Sequence, residues 1–128
     1  MLKKIHHIAI ICSDYQKSKN FYTNILGLEI IREVYREKRD SYKLDLSLNG
    51  IYIIELFSFP NMSDEKPEFS PFKTGLFHFC VQDPDIEILT DKIVAYGGKQ
   101  RMPIREYYPN EKPYKMVYVE DPFGVIFE

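Results

Sequence analysis

The sequence predicts an α+β fold made of two copies of a βαβββ unit, and three observations predict it. First, Lys4-Ile5-His6-His7-Ile8-Ala9-Ile10-Ile11-Cys12-Ser13-Asp14 reads as a strand running into a helix cap. Second, Leu76-Phe77-His78-Phe79-Cys80-Val81-Gln82-Asp83-Pro84-Asp85 repeats that plan, and a shift of 71 residues, from 7 to 78, also pairs Asp14 with Asp85 and Gly27 with Gly98. Third, the same succession of helix and strand patterns follows in each half.

Residues 5–12 are rich in β-branched side chains, which predicts a strand with His7, Ala9 and Ile11 on one face and Ile8, Ile10 and Cys12 on the other. Ser13 or Asp14 then caps a helix whose apolar positions, Phe21, Tyr22, Ile25 and Leu26, recur at helical spacing until Gly27 ends it. That helix packs on the Ile8 and Ile10 face, so His7 is expected on the far side. Strands at 28–37 and 42–48 flank a charged turn around Lys38-Arg39-Asp40. The second of them alternates, with Lys43, Asp45 and Ser47 on one side and Leu44, Leu46 and Leu48 on the other. Asn49-Gly50 is a hairpin turn leading into a strand at 51–57.

Residues 59–74 hold three prolines and read as a linker. The second half predicts a strand at 76–82, a helix from Pro84 to Tyr96 closed by Gly97-Gly98, and strands near 99–104, 115–120 and 125–128. The turn Asp121-Pro122-Phe123-Gly124 precedes the last strand, and Pro84 suits the first helical turn. The expected organisation is one domain over residues 1–128: repeat 1 at about 5–58, the linker, and repeat 2 at about 75–128. Helices outside two curved sheets would enclose a cleft between them.

At 128 residues, each half is too small to build a sufficient core alone. With 17 basic and 19 acidic residues, a net charge of −2 and no basic run, the chain lacks a nucleic-acid footprint or a polybasic membrane patch, which leaves small molecules as the expected partners. Met1-Leu2-Lys3-Lys4 leads into a strand without signal-peptide features, and no apolar run reaches membrane-spanning length, so a cytoplasmic location is expected. Cys12 and Cys80, each in an apolar stretch, are expected to be reduced core thiols.

Chemistry concentrates in four residues. Glu55 follows His7 by 48 residues and Glu128 follows His78 by 50, so each half offers one imidazole and one carboxylate. Glu55 interrupts the apolar run Ile53-Ile54 to Leu56-Phe57, a costly place for a carboxylate unless it is paired or binds a metal. Two imidazoles and two carboxylates neutralise a divalent cation, and a donor set without thiolate suits Ni, Zn, Co, Mn or Fe(II). His6 and His7 are adjacent and point to opposite faces, so one of them at most serves the site. Lys43, Asp45 and Ser47 are expected to face the cleft as supporting or substrate-contacting groups. Arg105, a further substrate-contact candidate, opens a charged, aromatic loop at 105–113 that reads as a surface loop or a lid over the site.

The motifs HHIAI, FYTNILGL, IYIIELF, LFHFCVQD and VYVEDPFGVIFE resemble the glyoxalase, or vicinal oxygen chelate, superfamily over essentially the whole chain. The run EVYREKRDSYKLDLSLNGIYIIELFSFP is similar to short bacterial glyoxalase-like proteins of the YaeR type. The resemblance implies one divalent metal ion held by His7, Glu55, His78 and Glu128. It also implies a lactoylglutathione lyase-like enzyme in which Glu128 or Glu55 moves a proton beside a carbonyl through a metal-stabilised enediolate. The implied substrate is a thiol adduct of a 2-oxoaldehyde such as methylglyoxal, with glutathione or another low-molecular-weight thiol as co-substrate. A homodimer is implied as well, with Phe57, Phe59, Phe69 and Phe72 as candidates to cover its interface or the core. The alternatives on this scaffold are a metal-dependent dioxygenase or thiol transferase, and a non-catalytic resistance-type protein that sequesters a small molecule. The turn reads DPFG here, where DPDG is commoner in the superfamily.

Overall fold

In the computed structural model, which describes residues 1–63, 65–66, 72–108 and 113–128, the chain divides into two units, residues 1–64 and 65–128. The first contains β1 (Ile8–Cys12), α1 (Tyr15–Asn20), a π turn (Phe21–Ile25), β2 (Glu29–Arg36), a 3-10 turn (Glu37–Arg39), β3 (Ser41–Leu48) and β4 (Ile51–Ser58). Its sheet has the order β1-β4-β3-β2, with β1 parallel to β4 and the other pairs antiparallel. Asp14 caps α1, its carboxylate accepting from the Lys17 N–H at 3.0 Å. The helix then widens, and the Leu26 N–H reaches back five residues to Phe21 O. Asn49 at φ 51° and Gly50 at φ 78° both lie in the left-handed region, as a two-residue hairpin demands.

The core of this unit lies on one face of the sheet. Ile10, Cys12, Leu44, Leu46, Ile54 and Leu56 are buried there, and so are Tyr15, Ser18, Phe21 and Tyr22 of the helical segment. Each fully buried leucine contributes about 2 kcal/mol. Leu48 departs from the expected leucine row and is exposed, because the ladder shifts register between Leu46 and Ser47 and Leu48 falls at the hairpin mouth.

The second unit has the same kind of elements in shorter pieces: α2 (Ile86–Ala95), β5 (Lys99–Gln100), β6 (Arg105–Tyr107), β7 (Tyr114–Met116), β8 (Val119–Glu120) and β9 (Ile126–Phe127). They form a β5-β8-β9 sheet and a β6-β7 hairpin. The strand expected at 76–82 is reduced to a single bridge, Phe79 to Phe127, since its described partner β9 is two residues long. The strand expected at 99–104 stops after Gln100, before Pro103, which has no N–H to give a ladder. The strand expected at 115–120 splits because β7 pairs with β6 whereas β8 pairs with β5 and β9. Helix α2 starts later than expected: its cap is Asp85, which accepts from the Ile88 N–H at 3.1 Å, so Pro84 precedes the cap rather than filling the first turn.

Two residues hold the end of this unit. Asp121 is buried, and its carboxylate accepts from the Phe123 and Val125 N–H groups at 2.8 and 2.9 Å, which locks the DPFG turn. After α2, the left-handed backbone falls on Gly97, at φ 107°. Gly98 serves close approach instead, for a Cβ there would sit 2.5 Å from Glu120 O and 2.6 Å from Ile93 Cγ2. Gly98→Ala is therefore expected to destabilise the protein by about 1–3 kcal/mol. Urea unfolding checks this, and an unchanged midpoint would contradict it.

Candidate functional site

In the first unit, β4 sets Glu55 between Ala9 of β1 and Asp45 of β3. His7 stands two residues before Ala9, and its Nε2 lies 2.9 Å from Glu55 Oε2. Lys43 Nζ lies 2.7 Å from the other oxygen, Glu55 Oε1, and 2.7 Å from Asp45 Oδ1. Tyr52 completes the cluster, its hydroxyl donating to Asp45 Oδ1 at 2.8 Å and its ring stacked on His7 with centroids 5.1 Å apart. The His6 and His7 Nδ1 atoms are 2.8 Å apart and both rings meet Tyr52, so the two side chains lie together rather than on opposite faces, because β1 starts only at Ile8 and strand alternation does not reach them.

Tyr52 is the residue that sequence reasoning missed. Strict alternation along β4 groups it with Ile54 and Leu56, on the helix side. The ladder pairs Leu46 with Ile54 but Ser47 with Tyr52, so Ile53 is an extra residue, and this bulge turns Tyr52 onto the face of Asp45 and Glu55. Burial and then the hydrogen bond to Asp45 push the Tyr52 phenol up to about 12. Burial opposes ionisation of Asp45, but the bonds from Lys43 and Tyr52 outweigh it and hold the carboxyl below its ordinary range. The hydrogen bonds to Asp45 and then Glu55 hold the Lys43 ammonium above its ordinary range. Lys43 and Asp45 are thus tied to Glu55 rather than presented bare to a substrate.

In the second unit, His78 Nε2 lies 3.0 Å from Glu128 Oε2. The Phe79–Phe127 bridge positions the pair, with the Glu128 N–H donating to Phe79 O and the Val81 N–H donating to Glu128 O, both at 2.9 Å. Phe77 and Tyr118 meet the His78 ring edge-on at 4.5 and 4.9 Å, and among the described residues the buried His78 Nδ1 has no hydrogen-bond partner. Cys80 is exposed rather than buried in the core, since it shares the His78 side of its segment. Partial desolvation, and then the Glu128 carboxylate, raise both the Cys80 thiol and the Tyr118 phenol above their ordinary values. A cavity of about 720 Å³ runs beside Glu128, with Cys80, Gln82, Ile86, Tyr114 and Met116 on its walls.

The two pairs match in atom type and in spacing. Two donors bound to one ion at about 2.1 Å and at right angles stand about 3.0 Å apart, so each His–Glu contact fits one edge of a divalent-ion coordination shell. Within the described residues, no group of three or more His, Cys, Asp and Glu side chains is arranged to hold a metal ion. Of the other candidates, Ser47 is buried opposite Tyr52. Arg105 is exposed opposite Met116 in the β6–β7 hairpin, without an ion pair among the described residues. The expected loop at 105–113 therefore starts in a strand, and its residues 109–112 lie outside the described residues.

Residues 4–128 match the family model described as the Glyoxalase/Bleomycin resistance protein/Dioxygenase superfamily. The chain belongs to this superfamily. Among relatives, the uncharacterized protein YaeR of Escherichia coli (strain K12) is 42% identical over 127 residues, 99% of this chain and 95% of that one. The uncharacterized protein YwkD of Bacillus subtilis (strain 168) is 62% identical over 80 residues, which span 62% of this chain and 61% of YwkD. A solved structure of a glyoxalase family protein from Enterococcus faecalis is 34% identical, with a TM-score of 0.73 over 98% of this chain and 94% of that one. Likeness of fold alone extends to the trypanothione-dependent glyoxalase I of Leishmania major, at 18% identity and TM-score 0.65 over 98% of this chain and 84% of that one. It extends also to the fosfomycin resistance protein FosX of Listeria monocytogenes, solved with Mn(II), at 20% identity and TM-score 0.66 over 99% and 90%. The α+β fold of the chain is that of the superfamily, and no helix among the described residues is long and apolar enough to cross a membrane.

Proposed function

We propose that the chain is a metal-dependent glyoxalase I-like lyase, or isomerase, in which His7, Glu55, His78 and Glu128 hold one divalent ion, and that it acts on the thiol adduct of a 2-oxoaldehyde such as methylglyoxal. The observation that carries this reading is the recurrence of one contact, His Nε2 to Glu Oε2, at 2.9 Å in one half and 3.0 Å in the other. Two neutral imidazoles and two carboxylates cancel the charge of a divalent ion, and their nitrogen and oxygen donors suit Ni, Zn, Co, Mn or Fe(II). The two pairs serve one ion from the same chain or from the two chains of a homodimer. Fold likeness to a glyoxalase I and to an Mn(II)-bound resistance protein supports the same reading.

When bound, the ion supplies Lewis-acid stabilisation of the negative charge that develops beside the carbonyl. The chain itself moves the proton. A carboxylate oxygen, of Glu128 or Glu55, takes the proton from the carbon bearing sulfur and hydroxyl, and that electron pair shifts toward the neighbouring carbonyl. The proton returns to the former carbonyl carbon while the hydroxyl proton passes to the neighbouring oxygen. The 2-oxo hemithioacetal thus becomes a 2-hydroxy thioester, and nothing is oxidised or reduced overall. The cavity beside Glu128 leaves room for the rest of such a molecule.

Thioester formation from methylglyoxal with glutathione or another small thiol, with and without added Ni, Zn, Co or Mn, tests the proposal. Ion-dependent thioester formation that a chelator abolishes is expected. Absence of thioester with every thiol and ion would overturn the proposal, and ion-dependent consumption of fosfomycin in its place would move the chain to the resistance branch.

A further inference from the structure

We propose that Lys43 is a positioning residue that pins the Glu55 carboxylate, leaving Glu128 as the single proton-transfer base, so that the enzyme reacts with one enantiomer of a chiral thiol adduct. The proposal rests on the glyoxalase-type reading and goes beyond it in making the two halves of the site unequal.

Both oxygens of Glu55 are occupied, Oε2 by His7 at 2.9 Å and Oε1 by Lys43 at 2.7 Å. Lys43 is anchored in turn by Asp45 at 2.7 Å, and Asp45 by the Tyr52 hydroxyl at 2.8 Å. For Glu55 to swing toward a substrate, it must leave a charge-assisted bond whose donor is itself held in place. Among the described residues, the second unit shows no equivalent. Asp45 lies opposite Glu55 in its ladder, and Val119 lies opposite Phe127, so one step on from that pair Tyr118 comes opposite Glu128. Two residues earlier, where Lys43 stands in the first unit, the second unit has Met116. Neither Met116 nor Tyr118 is a cation. Among the described residues Glu128 is paired with His78 alone, and it borders the cavity. Beyond the histidine contact that both share, Glu55 is held at its second oxygen by Lys43, and Glu128 has no such second hold among the described residues.

The carbon that loses its proton carries sulfur, hydroxyl, hydrogen and an acyl group, so the adduct forms as two enantiomers. With a base on one side, only the enantiomer whose C–H bond points at Glu128 reacts directly. Two mobile carboxylates on opposite sides would accept both.

The test uses full-length, ion-loaded protein in excess over a racemic adduct of methylglyoxal and glutathione. The wild type is expected to convert half of the adduct in a fast phase. The remainder should follow at the enzyme-independent rate at which the adduct dissociates and re-forms. Lys43→Met, which keeps the stem without the charge, is expected to raise the fast amplitude above half, and Lys43→Arg to restore it. Complete conversion by the wild type in one fast phase, or an amplitude unmoved by Lys43→Met, would overturn the proposal. A second readout needs no turnover: Co(II) titration followed by visible absorption. Loss of the supporting cation should weaken Co(II) binding roughly 10–100-fold in Lys43→Met and leave Lys43→Arg near the wild type. Equal affinities in all three proteins would mean that Lys43 does not pin Glu55. A wild type that binds Co(II) but forms no thioester overturns the glyoxalase reading and the enantiomer claim together, and the titration alone then decides the role of Lys43.

Discussion

Glu128→Gln is expected to lower kcat for thioester formation by about 10²–10⁴-fold, the usual contribution of a positioned general base. The amide keeps an oxygen donor and nearly the same shape but accepts no proton at neutral pH. Glu128 is the carboxylate that borders the cavity and, among the described residues, it pairs with no lysine or arginine, whereas Glu55 is held by Lys43. Glu55→Gln should therefore fall mainly on ion affinity, because it weakens a ligand and leaves Lys43 paired to Asp45 alone. Steady-state kinetics at saturating ion separate the two effects. Full turnover in both variants would remove the carboxylates from the proton transfer.

Loss of either histidine should empty the site. His7→Ala and His78→Ala are each expected to weaken divalent-ion binding by more than the roughly 10–100-fold that a supporting residue costs, since each removes a donor outright. If both pairs serve one ion, the double variant is hardly worse than either single one, because the first loss already abolishes the interaction that the second would remove. Calorimetric titration of the three variants with Zn(II) or Co(II) reads this directly. Retention of a full-affinity ion by either single variant would mean that the halves act apart.

Much of this arrangement is legible in the residues. The repeat pairs His7 with His78, and the structure joins each to the glutamate of its own half. Glu55 in an apolar run signals a partnered carboxylate, and it has two partners, His7 and Lys43. The matched helix starts are also visible, as Asp14 and Asp85 cap α1 and α2 through the same bond. What escapes the sequence is what depends on register. Tyr52 looks like a core-side residue because periodicity does not reveal the bulge at Ile53 that turns it over. Likewise, alternation reports the face of Lys43 and Asp45, as supporting or substrate-contacting groups, but not that Lys43 bridges Asp45 to Glu55. In the second half, short strands change partners between β7 and β8, and a continuous apolar pattern hides such a break. Cys80 is misplaced for a related reason, since apolar neighbours on both sides conceal that it shares a side with His78.

The central claim is that two His–Glu pairs share one ion, and the most direct measurement of it is the number of divalent ions bound per chain by protein purified without chelator and then titrated to saturation. One tightly bound ion per chain is expected, removed by a chelator and restored by adding metal back. Two equivalent ions per chain, one for each pair, or no ion retained under any loading condition, would contradict it.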